Sequence, residues 1–193
     1  MEKNILAILL LLICFTTNGQ NLPELELREN KSIEIPEKIE SKEIAIIFEQ
    51  YGGWSAYNIL TYYIFKNNGE IISYRKQIPK SYLKKKKELK ETLTEIKLTA
   101  EQIKELKKNI KSELTIDFQN YSQSNFKKSK NSIGKCIITD ATGYKLTFLQ
   151  NEKQNTYKYY APKYHLNNCK DKNININVLR KYLELIEMWK PKI

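Results

Sequence analysis

Apolar and polar positions along this chain alternate with two different periods, and the changes of period mark its elements. Ile44 to Phe48 reads as a buried-strand run, Ile-Ala-Ile-Ile-Phe, with apolar side chains for both faces of a sheet. Tyr57 to Phe65 follows as a β-rich segment. Asn67-Asn68-Gly69 then gives the positive φ that a tight hairpin turn needs. Glu70 to Arg75 returns as the partner strand, with Ile71 and Ser73 facing away from Ile72 and Tyr74. Thr92 to Leu98 repeats the two-residue period.

A helical period takes over at Thr99. Thr99-Ala100-Glu101-Gln102 is a capping box, and Ile103, Leu106 and Ile110 share one face behind it. The final helix is predicted from Asn175 or Asn177 to Lys190-Pro191, with Leu179, Tyr182, Ile186 and Trp189 as its apolar stripe. Between the helices, a second hairpin is expected from Lys135–Thr139, a turn at 140–143, and Tyr144–Leu149. Thr156–Tyr160 supplies a further strand. Residues 120–134 are expected to form a mobile loop, 163–175 a long connection, and Ser81–Glu91 either a charged helix or a loop. The predicted class is α+β: an antiparallel sheet built from two hairpins plus extra strands, with two helices packed on one face.

Both ends of the organisation come from composition. Residues 1–19 have a lysine followed by the apolar run Ile5–Phe15, then Thr17 and Gly19 at the −3 and −1 positions. This predicts a cleaved signal peptide. The run is shorter than the roughly 20 apolar residues of a membrane span. An exported protein is therefore expected, in the periplasm, at the cell surface or outside the cell, with no transmembrane segment once the leader is removed. Residues 20–43 hold seven Glu, three Lys and one Arg and no aromatic, which reads as a charged arm. Residues 44–193 form the single α+β domain.

The formal net charge is +11 over 193 residues. Thirty lysines against three arginines, Arg28, Arg75 and Arg180, argue against nucleic-acid readout, which relies on the planar arginine fork. Lys84-Lys85-Lys86-Lys87 sits in the densest basic stretch. It reads as a solvated face, or as a means of steering an acidic partner. Genome composition also accounts for a chain so rich in Lys, Asn, Ile and Tyr.

Little in the sequence points to catalysis. His165 is the single histidine, and the aspartates number three, Asp117, Asp140 and Asp171. A nucleophile–base pair, a carboxylate pair and a metal-ligand set all need more. No cofactor or metal site is expected. Cys136 and Cys169 form an even pair downstream of the leader and are expected to be bonded. The tyrosines beside predicted strands come in neighbours, Tyr62/Tyr63 and Tyr159/Tyr160, which point to opposite faces. Some of them should therefore form an exposed aromatic surface.

Gly52-Gly53-Trp54, Leu98-Thr99-Ala100-Glu101-Gln102 and the closing helix 178–190 follow one another in an order that resembles small exported domains of unknown function. More loosely, the order resembles the emfourin group of metalloprotease inhibitors. The likeness covers the order of elements over roughly residues 44–190, and it implies a non-catalytic inhibitor that works through exposed loops.

The reading is an exported, non-enzymatic protein-binding domain of inhibitor or immunity type. Its candidate binding residues are Tyr51, Gly52, Gly53 and Trp54, the lysines Lys84, Lys85, Lys86 and Lys87, and Tyr159 and Tyr164. Two alternatives stand beside it. One is a small basic secreted enzyme or toxin that acts on a polyanion through His165 and lysines. The other is a structural or adhesion component of the cell envelope.

Overall fold

The computed structural model describes residues 21–83, 88–128 and 136–192. Residues 1–20, which include the expected signal peptide, Lys84–Lys87, and residues 129–135, which span the end of the expected 120–134 loop and the first residue of the expected Lys135–Thr139 strand, lie outside the described residues. Among the described residues seven strands form one antiparallel sheet: β1 (Glu29–Asn30), β2 (Ile44–Gly52), β3 (Tyr57–Phe65), β4 (Ile71–Pro79), β5 (Thr92–Glu95), β6 (Thr142–Gln150) and β7 (Lys153–Tyr160). Their spatial order is β1-β7-β6-β2-β3-β4-β5. Four helices accompany them among the described residues: α1 (Ala100–Asn109), α2 (Glu113–Phe118), α3 (Pro162–Asn167) and α4 (Ile176–Trp189). The class is α+β, as the hydrophobic pattern predicts.

The β3–β4 hairpin turns at Asn67–Gly69, with Gly69 at φ 84°. Thr99 and Gln102 complete the capping box at the start of α1. Asn175 accepts from the amide of Val178 and starts α4. Leu179, Tyr182, Ile186 and Trp189 are all fully buried against the sheet.

The second hairpin differs from its expected form. It joins β6 to β7 through Asn151 and Glu152, both at positive φ. Residues 136–139 are not in a strand. A turn of this kind is usually signalled by glycine. Here Asn151 tolerates the geometry, and its side chain is held by the amide of Lys42 at 2.9 Å. Residues 163–175 also depart from a plain connection. Pro162 sits at the first turn of α3, where its missing N–H costs nothing. Within the expected loop 120–134, Gln123–Phe126 forms a 3-10 turn that buries Phe126 against Tyr159 and Tyr182.

Tyr62 and Tyr63 are both buried, so they do not divide into a core and an exposed residue. Tyr63 meets Trp189 on the helix side. Tyr62 belongs to a second core on the opposite face with Ile47 and Leu60. The arm explains this second core. Leu22, Leu25 and Leu27 pack on the helix side. The chain then crosses the sheet edge as β1, and Ile33, Ile35 and Ile39 pack on the far face. Three buried amides hold the crossing. Gln150 accepts from the amide of Leu25 at 2.8 Å, Asn155 from Arg28 at 3.0 Å, and Gln154 from Ser32 at 3.0 Å.

The far end of the arm is fastened by Glu43. Its carboxylate accepts from the amides of Glu40 (2.8 Å) and Asn67 (3.2 Å) and pairs with Lys66 at 3.0 Å. Burial pushes its pKa up, but these three donors outweigh burial and hold it below the ordinary 4.5. A group lowered in the folded state gives its full stabilisation above the unfolded value and loses it as pH falls through the folded one. Glu43→Gln should therefore cost about 2 kcal/mol at neutral pH. The cost should shrink in urea titrations carried out progressively below pH 4.5. A cost that does not change with pH would show that the charge is not what Glu43 contributes.

Candidate functional site

The glycine-rich loop between β2 and β3 is set by close backbone contacts. Gly52 and Gly53 have φ of 72° and 63°. A Cβ on Gly52 would stand 2.6 Å from the carbonyl oxygen of Ala141, so a larger residue would force the strands apart. Gly53 donates its amide to that same carbonyl at 2.9 Å. Lys80, itself buried, donates to the carbonyls of Gly52 (3.0 Å) and Gly53 (2.6 Å). The Lys80 amide also donates to the carbonyl of Ala56 at 3.0 Å. The loop is thus fixed at both ends, and from it Trp54 projects 89% exposed.

Tyr51 sits beside the loop, over Gly143, its partner on β6. A Cβ at Gly143 would fall 2.3 Å from the Tyr51 ring. The ring instead meets Tyr160 with centroids 6.4 Å apart, and the Lys158 ammonium lies 4.6 Å from its centre. Burial, with Glu49 nearby, raises the Tyr51 phenol to about 12. Tyr51 is therefore a neutral, fixed support. Tyr82 follows Lys80 in a 3-10 turn and is 71% exposed. Two exposed aromatics, Trp54 and Tyr82, thus extend from the two segments that Lys80 ties together. Sequence reasoning found Trp54 through its two glycines. It missed Tyr82, because nothing local distinguishes it from other tyrosines, whereas Tyr160, 36% exposed, is the outward member of the Tyr159/Tyr160 pair that strand alternation predicts.

The remaining expected binding residues lie elsewhere. Tyr159 is on the helix face of β7, half-buried against Phe126 and Tyr182. Tyr164 lies on α3 with its ring beside His165. Lys84–Lys87 are outside the described residues. His165 Nδ1 is 3.2 Å from the Tyr159 hydroxyl. Burial lowers the imidazole pKa, and the charge of Asp171 opposes that shift without cancelling it. Tyr159 is itself raised by burial. At neutral pH this is a neutral imidazole bonded to a neutral phenol.

Cys136 and Cys169 stand at bonding distance, S–S 1.98 Å with α-carbons 5.7 Å apart. Among the described residues, no helix is long and apolar enough to cross a membrane, and no cluster of three or more His, Cys, Asp or Glu could hold a metal ion. No protein-family model matches the chain, and no curated protein matches it.

Proposed function

We propose that this chain is an exported, non-enzymatic binding domain that grips a protein partner through the Gly52–Trp54 loop. The observation that carries the reading is the exposure of Trp54, 89%, on a loop whose backbone is fixed by a buried lysine and two close-packed glycines. A large aromatic on a rigid loop loses little conformational freedom on binding and supplies the apolar anchor typical of interface hot spots. Tyr82, exposed two residues after the Lys80 that clamps the loop, is a second exposed aromatic available to the partner. The net charge of +11 favours an acidic partner, with Lys84–Lys87 serving to speed encounter rather than hold the complex. The leader sequence and the bonded cysteines support export. The loose resemblance of its element order to emfourin-type inhibitors makes an extracellular protease the first partner class to try.

The test places a photoreactive phenylalanine analogue at position 54 in cells that export the protein, with a second variant carrying it at the exposed Ile137. Irradiation should give one discrete crosslinked species from position 54 and none from 137. Equal crosslinking from both positions, or none from position 54, would rule the loop out. Neutralising Lys84–Lys87 should slow association and flatten its dependence on salt while leaving dissociation nearly unchanged.

A further inference from the structure

The helix face of the sheet carries an uncovered groove of about 630 Å³, bounded by β2–β5 on one side and by α1 and the end of α4 on the other. Its size falls in the range of small-molecule sites, about 300–1,000 Å³. Its walls include Phe48, Ile59, Tyr63, Leu98, Leu106 and Met188. The floor is different. Strand alternation turns Ser73, Arg75 and Gln77 of β4 toward the helices, in the positions where Ile71 earlier in the same strand is core. Thr61 pairs directly with Arg75, and Arg75 with Thr94, so these polar groups form one row across three strands.

Three of the floor atoms have no partner. Thr61 Oγ1, Ser73 Oγ and Arg75 Nε are buried without a hydrogen bond. Thr61 and Ser73 are each only 1% exposed. Arg75 makes no ion pair among the described residues, whereas the groove's acid, Glu105, is already paired with Lys192. A buried polar atom left without a partner has lost its water contacts without recovering a hydrogen bond, and the penalty is larger when the group is charged. Thr61 and Arg75 are direct cross-strand neighbours, and Ser73 lies two residues along β4 on the same face, so the three unpartnered atoms share one floor under the apolar wall.

We propose that this groove binds a small molecule carrying one carboxylate on an elongated apolar body. The carboxylate takes the planar donor fork of Arg75, as carboxylates do, and the hydroxyls of Thr61 and Ser73 donate beside it. The apolar body lies along Phe48, Ile59 and Leu106 under the end of α4. The site is separate from the Trp54 loop and does not depend on it.

The experiment titrates the purified protein with dodecanoate, with dodecan-1-ol as the uncharged chain and acetate as the head alone, by calorimetry below the micellar range. Dodecanoate should bind at one site per chain, at least about ten-fold more tightly than dodecan-1-ol, and acetate should not bind measurably. Arg75→Gln should weaken dodecanoate by about ten-fold and leave dodecan-1-ol unchanged. Trp54→Ala should change neither. No saturable dodecanoate binding, equal affinity for the alcohol, or undiminished dodecanoate binding by a folded Arg75→Gln protein would each overturn the proposal. The comparison of dodecanoate with dodecan-1-ol needs only the unaltered protein, so it decides the matter even if Arg75→Gln does not fold.

Discussion

Trp189→Ala should lower the folding stability by about 3–5 kcal/mol, the range for emptying a buried tryptophan site. Trp189 is the last residue of α4 and is fully buried. Its ring meets Tyr63 and Phe65 of β3, each with centroids 6.1 Å away. Removing it opens a void between the helix end and the centre of the sheet, and its two packed aromatic neighbours cannot close that void by small shifts. The indole Nε1 has no hydrogen-bond partner, so the contribution is packing alone. Trp189→Phe should therefore retain most of the stability. Thermal and urea unfolding followed by circular dichroism measure both, and the alanine variant should melt on the order of 10 °C lower. A loss below about 1 kcal/mol would mean that α4 does not seat its C-terminal turn on the sheet.

Replacing Cys136 and Cys169 together by serine should cost about 3–4 kcal/mol. The bond closes a loop with a sequence separation of 33, and that loop contains the whole β6–β7 hairpin and α3. Without it the unfolded chain regains the freedom of that loop. The cost should appear equally in wild-type protein treated with a reductant, and the double variant should be insensitive to reductant. If wild-type stability does not respond to reductant, the bond constrains nothing the fold needs.

Elements written in local chemistry were legible in the sequence. The turn at Asn67–Gly69, the capping box at Thr99 and the stripe Leu179–Tyr182–Ile186–Trp189 each need only neighbouring residues to be recognised. What depends on distant partners was not. The turn at Asn151–Glu152 has no glycine, and its support comes from Lys42, just before the neighbouring strand β2. The burial of Tyr62 requires the arm to cross to the far face, and that crossing is fixed by Gln150, Gln154 and Asn155. Amides on a strand look the same in sequence whether they face water or clamp another segment.

The candidate site divides in the same way. Gly-Gly-Trp marked its loop. The clamp that stiffens the loop comes from Lys80, 28 residues from Gly52 in sequence. The polar floor of the groove was hidden because Ser73, Arg75 and Gln77 read as an ordinary solvent-facing alternation. Only the placement of α1 and α4 shows that they face inward.

The most direct measurement compares capture of the crosslinked partner by immobilised wild-type and Trp54→Ala protein, with melting temperatures recorded on the same samples. The loop account predicts that Trp54→Ala weakens capture by at least about thirty-fold, the loss of an interface hot spot. Its melting temperature should stay within the scatter of an exposed substitution, about ±0.5 kcal/mol in stability. Capture undiminished by Trp54→Ala, with the fold intact, would contradict it.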